Sequence, residues 1–170
     1  MPALRSGAGA GQAAGMEARP AAPEVRRAEL DDLDRVVPLF DAYRGFYGQP
    51  SQPAACRGFL EARLARGESV LLLACRDGLA LGFLQLYPVF SSVRLRPAFL
   101  LNDLYVDPAA RGTGIVDALL RAAADHALQA GAAFLLLETG DDNVRAQAVY
   151  SRDGWRRIDP DSRFYLKELA

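Results

Sequence analysis

Leu104-Tyr105-Val106-Asp107-Pro108-Ala109-Ala110-Arg111-Gly112-Thr113-Gly114-Ile115-Val116 is the stretch from which the rest of the chain is read. An apolar strand stops at Pro108, which has no N–H with which to continue a ladder. A turn of small residues follows, and a helix begins at about Gly114. Gly112 and Gly114 lack a Cβ, so the backbone approaches a bound group closely there. The free N–H groups of the first helical turn point at the same place, and the helix dipole adds attraction for negative charge. A pyrophosphate suits such a helix start, although a tight strand-to-helix turn uses the same residues. Two nucleotide motifs are excluded. The chain has no Lys-Ser or Lys-Thr for a Walker loop, and Gly112-Thr113-Gly114-Ile115-Val116-Asp117 lacks the third glycine of a dinucleotide fingerprint.

Working outward, Gly114–Ala130 has helical spacing, with Leu119, Leu120, Ala123 and Ala127 on one side. Ala133–Thr139 reads as a short apolar strand and Asn143–Asp153 as a helix ended by Gly154. Trp155–Ile158 and Phe164–Leu169 read as closing strands. Upstream, Ala98–Val106 is a strand, and Ser69–Cys75 and Leu79–Tyr87 form a hairpin about the turn Arg76-Asp77-Gly78. A helix carrying Phe59, Leu60 and Leu64 stops near Gly67. An earlier helix presents Leu33, Val36, Val37, Phe40 and Tyr43, and Glu24–Ala28 opens the fold as a strand. Hairpins followed by a β-α-β crossover predict one α/β (α+β) domain over residues 24–170, a mixed central sheet with helices on both faces. Residues 1–23 are rich in Ala, Gly and Pro without apolar periodicity, and are expected to form a disordered tail.

The 170 residues carry 20 Lys+Arg against 21 Asp+Glu, and 51% are hydrophobic. That balance excludes a strongly basic nucleic-acid binder, and the apolar content belongs to a folded domain. No run approaches the ~20 apolar residues of a membrane helix, so no membrane partner is expected and a cytoplasmic location is. Cys56 and Cys75 form no CxxC or Cys/His cluster, so no metal is expected. His126 stands alone without a G-x-S-x-G elbow, and a hydrolase triad has nothing to rest on.

The opening stretch resembles the signature of the acetyl-CoA-dependent N-acetyltransferase superfamily related to yeast histone acetyltransferases, called GNAT. That signature is [RQ]-x-x-G-x-[GA] after a strand ending apolar-apolar-Val-x-Pro. Leu104 to Pro108 and Arg111 to Ile115 match it, while Val116 stands where the family carries Gly or Ala. Downstream, Asn143-x-x-Ala146-x-x-x-Tyr150-x-x-x-Gly154-Trp155 is similar to the family's N-x-x-A-x-x-x-Y-x-x-x-G-[FW] helix. Tyr43-Arg44-x-Phe46-Tyr47 and Gln85-Leu86-Tyr87-Pro88 resemble a branch containing yeast protein and small-amine acetyltransferases.

The resemblance implies acetyl-CoA as the acetyl donor, with its pantetheine arm between two splayed parallel strands, Ala98–Val106 and Ala133–Thr139. Leu104, Tyr105 and Val106 would offer their free strand edge to that arm. Arg111, Gly112, Thr113, Gly114, Ile115 and Val116 would hold the pyrophosphate. Asn143 would contact the cofactor arm, or serve as the N-cap of its helix. Tyr150 matches the family's general acid. Asp103 is the first candidate for the general base, with Glu138 or a water relay as alternatives; Asn102 stands where some polyamine-acetylating members carry Glu. Tyr43, Phe46, Tyr47 and Tyr87, with Phe90, would wall the acceptor site, and Arg94 and Arg96 would disfavour a polycation. The implied function is acetyl transfer to a primary amine (a small amine, an amino acid, or a protein lysine or N-terminus) by direct attack. A non-catalytic acyl-CoA-binding module is the alternative. Family members often dimerise, so a homodimer is one expected assembly.

Overall fold

Six consecutive apolar residues, Val70 to Cys75, make up most of strand β2 (Val70–Arg76), and the pleat divides them between two cores. In the computed structural model, which describes residues 21–158, Val70, Leu72 and Ala74 enter one core, and Leu71, Leu73 and Cys75 enter the other. A strand buried on both faces belongs inside a sheet covered on both sides.

The coverings are helices with matching stripes. On one face, α1 (Leu33–Phe46) buries Leu33, Val36, Val37, Leu39 and Phe40, and α2 (Pro53–Ala65) buries Cys56 and Leu60. On the other, α3 (Ile115–Gln129) buries Ile115, Leu119, Leu120, Ala123 and Ala127. The sheet runs β1 (Glu24–Arg27), β2, β3 (Leu79–Ser91), β4 (Arg96–Val106), β5 (Leu135–Leu137) in spatial order. The first four strands pair antiparallel, and β5 joins β4 parallel through the α3 crossover. This is the mixed sheet expected from the sequence.

Some segments differ from expectation. The β3–β4 hairpin is longer than its apolar runs, because pairing continues through Ser91 and Arg96. Strand β5 is shorter, because it meets β4 only at Phe99, Leu100 and Leu101. Residues 155–158 form no strand. Instead α4 (Val144–Arg152) ends in a left-handed Gly154 (φ 90°), with the Gly154 amide donating to Ser151 O (3.2 Å) and the Trp155 amide to Tyr150 O (3.0 Å). This double closure is the Schellman motif, with the hydrophobic pair Tyr150–Trp155 beside it. The second closing strand, Phe164–Leu169, and residues 1–20 of the expected tail lie outside the described residues.

Candidate active site

Strand β4 changes phase at one residue. Gln85 pairs with Asp103 but Leu86 pairs with Leu101, so Asn102 is an unpaired bulge. Before it, Phe99 and Leu101 face α3; after it, Leu104 and Val106 do. The bulge therefore turns Asp103 and Tyr105 toward α1. Pairing with β5 ends at Leu101, beside the bulge. From Asn102 to Val106 the β5-side edge of β4 has no strand beside it among the described residues. Its backbone groups are left for another partner.

That edge forms one wall of a groove of about 620 Å³. Leu104, Tyr105 and Val106 line it, as do Arg111, Gly112, Gly114, Ile115 and Val116 at the start of α3. Gly112 (φ 75°) and Gly114 (φ 85°) both occupy the left-handed region, where a side chain is strained. Val116 contributes its side chain to the α3-side core, and its backbone amide belongs to the first turn, where no intrahelical carbonyl is available. Arg111 Nε donates to Val106 O (3.2 Å), tying the loop to the strand end. Thr113 does not line the groove. Its hydroxyl donates to Ala110 O (2.7 Å) and accepts from Arg76 Nη1 (3.2 Å).

The opposite wall comes from α4. Asn143 caps it, its Oδ1 accepting from the Ala146 amide (3.2 Å), and also lines the groove with Tyr150, Arg145 and Arg152. Arg152 is engaged by Asp117 (2.6 Å). Burial raises the Tyr150 phenol above its ordinary pKa, and the neighbouring Tyr47 raises it further, so it is a neutral proton donor at physiological pH.

Tyr43, Phe46 and Tyr47 line the α1 end, Phe46 and Tyr47 largely exposed. Tyr43 meets Tyr47 edge-on at 5.2 Å and covers Phe83 and Tyr105. Asp103 sits beneath this wall, 5% exposed, accepting from Asn102 Nδ2 (3.1 Å) with the Tyr43 hydroxyl beside it. No arginine or lysine pairs with it among the described residues. Burial raises its pKa, opposed by the Asn102 and Tyr43 contacts. Burial, then Asp103, holds the Tyr43 hydroxyl protonated, well above its usual range. Glu138 lines the groove directly.

Tyr87 and Phe90 lie outside the groove. Tyr87 is half-buried, with its hydroxyl pushed up to about 12 by burial and by Asp103, and Phe90 stands exposed on the hairpin. Arg96 spends its donors on Gly131 O and Ala132 O, and Arg94 stacks over Phe134, so neither reaches the groove.

Three contributors to this architecture are not singled out as site residues by the sequence, although Gln85 stands in the quoted Gln85-Leu86-Tyr87-Pro88 stretch. Arg76 reads only as part of a turn. Gly82 has an ordinary φ, yet a Cβ there would lie 2.8 Å from Tyr105 O and 3.3 Å from Ile115 Cγ2, so its smallness lets α3 seat on the sheet. Gln85, fully buried beside Asp103, has neither amide atom partnered among the described residues.

A mixed sheet whose parallel strands part beside a glycine-turned helix start is the frame of an acetyltransferase, and the chain belongs to the acetyltransferase (GNAT) family, whose pattern it matches over residues 34–155. It is 44% identical over 131 residues, 77% of its own length and 88% of the relative's, to the uncharacterised N-acetyltransferase YhfO of Bacillus subtilis. It is 36% identical over 100 residues, 58% of its own length and 68% of the relative's, to a probable acetyltransferase of Haemophilus influenzae. A crystal structure of a probable acetyltransferase superposes with a TM-score of 0.82 at 41% identity, covering 86% of this chain and 99% of that one. A ribosomal-protein-alanine N-acetyltransferase from Brucella melitensis shares the fold, with a TM-score of 0.72 at 23% identity, covering 88% and 100%.

Proposed function

We propose that this acetyltransferase moves an acetyl group from acetyl-CoA to the primary amine of a small amine, an amino acid, or a protein lysine or N-terminus by direct attack. The observation that carries the reading is the end of β4–β5 pairing at Leu101. Among the described residues it leaves a strand edge unpaired up to the glycine-flanked start of α3, with Tyr150 lining the same groove. The residues suit the donor. Amide groups need a strand-like edge, and Asn102 to Val106 supply one. A pyrophosphate needs converging N–H groups and close backbone approach, and Gly112 to Val116 supply both. Arg145 adds positive charge to the same groove.

When bound, acetyl-CoA supplies a thioester carbonyl and a thiol leaving group. Attack needs a neutral amine, so one ammonium proton must leave first. Tyr43 lines the groove with its hydroxyl beside Asp103, so it accepts the amine's proton at Oη while passing its own to the Asp103 carboxylate. Its raised pKa keeps it a neutral relay and not a phenolate. The raised Asp103 pKa makes that carboxylate a better base than an exposed one. Tyr150 holds a proton at Oη on the opposite wall for the departing sulfur. Phe46 and Tyr47 offer exposed aromatic surface to the acceptor's carbon chain and to its charge before deprotonation.

The test is thiol release from acetyl-CoA across a panel of small amines, amino acids and lysine peptides, after calorimetric titration of CoA. Saturable CoA binding with amine-dependent thiol release is expected. Binding without release for any amine would mark a non-catalytic acyl-CoA-binding module, and no binding at millimolar CoA would end both readings.

A further inference from the structure

We propose that Arg76 is a positioning residue for the cofactor loop: it clasps Thr113 and thereby aims the loop's amides into the groove. The proposal rests on the groove being the CoA site. Arg76 is the last residue of β2, and strand alternation from Val70, Leu72 and Ala74 turns its side chain to the α3 face. There Nη2 donates to Thr113 O (3.0 Å) and Nη1 to Thr113 Oγ1 (3.2 Å), across 37 positions of sequence. The Thr113 hydroxyl donates onward to Ala110 O (2.7 Å), so the end of β2 and the turn before α3 meet at one side chain.

The turn needs such a hold. Thr113 lies between two left-handed glycines, the residue type with the most backbone freedom to lose on ordering. Of Gly112, Thr113 and Gly114, only Thr113 has a side chain by which to be gripped. In a planar trans peptide the C=O and the following N–H point in opposite directions. With the Thr113 carbonyl turned to Arg76, the Gly114 amide is turned away from Arg76, and Gly112 and Gly114 both line the groove. Arg76 itself does not line the groove, and its Nε is buried without a partner, so the guanidinium is oriented by Thr113 and not by solvent. A guanidinium reaches both Thr113 atoms at once, which a single ammonium on a flexible stem does less well.

The experiment compares CoA with pantetheine by calorimetry for the wild type, Arg76→Met, Arg76→Lys and Thr113→Val. Pantetheine lacks the phosphates, so the ratio of the two affinities reads the loop, whereas general loosening lowers both. The ratio is expected to fall about tenfold in Arg76→Met, the scale of losing charge-assisted hydrogen bonds, to fall in Arg76→Lys as well, and to fall less in Thr113→Val. In the ligand-free protein, amide hydrogen exchange at Gly112 to Val116 is expected to quicken in Arg76→Met. A wild-type ratio in Arg76→Met would overturn the proposal. So would full retention in Arg76→Lys, which would assign the effect to charge alone. Should Arg76→Met not fold, Arg76→Lys and Thr113→Val decide by the same ratio. If the wild type itself shows no preference for CoA, the cofactor reading falls, and the exchange rates alone decide whether Arg76 holds the loop.

Discussion

Trp155 is bound to Tyr150 twice: its backbone amide donates to the Tyr150 carbonyl (3.0 Å), and the two rings lie 6.0 Å apart. The indole thus limits where the phenol points. Tyr150→Phe removes the proton donor and is expected to lower kcat about 100-fold, the low end for a positioned acid because a thiolate leaves readily, with CoA affinity retained. Trp155→Ala leaves the donor but frees its ring, and is expected to give a smaller fall in kcat. Steady-state kinetics with any accepted amine check both, and unchanged turnover in Tyr150→Phe would remove its role as acid.

With Asp103 as the proposed base, activity and stability are expected to depend on its charge in opposite ways. As a base it must be ionised, so kcat/KM is expected to rise with pH through a midpoint above the ordinary carboxylate range, and Asp103→Asn is expected to abolish that rise. Its pKa is higher folded than unfolded, so the native state binds more protons in the window between the two values. Stability contributed there falls as pH rises. Asp103→Asn is therefore expected to melt no lower than the wild type at neutral pH while losing turnover. A marked drop in Tm would contradict the buried, uncompensated charge.

Asn143 spends Oδ1 on the helix cap, and it lines the groove as well. Asn143→Asp keeps an acceptor for the Ala146 amide but loses the N–H donor and adds negative charge to the groove. It is expected to stay within about 0.5 kcal/mol of wild-type stability and to bind CoA more weakly. Asn143→Ala is expected to lose the cap as well, at ~1 kcal/mol. Chemical denaturation and calorimetry separate the two, and equal CoA affinity in Asn143→Asp would confine Asn143 to capping.

Gly82→Ala places a methyl 2.8 Å from Tyr105 O, a backbone atom of the paired strand. Strand or helix must shift, at an expected cost of about 1–3 kcal/mol. CoA affinity is expected to fall too, because Ile115, the first residue of α3, is displaced. Denaturant melts and titration check this, and wild-type values in both would show that the sheet yields freely.

Asp32 pins β1 to the start of α1. Arg26 donates to both of its carboxylate oxygens (2.7 and 2.5 Å), which outweighs the cost of burial and holds its pKa at about 2. A depressed carboxylate stabilises above its unfolded pKa and ceases to do so as pH falls through the folded one. Asp32→Asn is therefore expected to cost about 1 kcal/mol at pH 7, Arg26 being 40% exposed and screened by water. The deficit should close between about pH 4 and 2. Thermal melts across that range check it, and a constant deficit would point to packing instead.

Much of this was legible in the chain. The apolar stripes of α1 and α3 and the apolar run of β2 announced a two-faced sheet, and the order of elements announced its mixed pairing. In the site, Gly112 and Gly114 stand out as a turn before a helix, and Asn143 and Tyr150 through the resemblance of their stretch to the GNAT helix motif. Tyr87 and Phe90 did not come to the groove, because their long hairpin carries them along β3 past it. Asp103 was singled out as a strand residue, but its place beneath Tyr43 follows from the bulge at Asn102, which alternation alone does not reveal.

What the sequence determined by itself is what a few neighbouring residues decide: the glycine turn before α3, the Asn143 cap, and the stop of α4 at Gly154. Each depends on local dihedral preference and hydrogen bonds spanning at most five residues. The tertiary structure alone decided the grip of Arg76 on Thr113, the room at Gly82 for α3, and the turning of Asp103 toward α1. These depend on the register between segments brought together from distant parts of the chain. A period-two side-chain pattern says which face a residue takes, but not which residue it meets across the sheet.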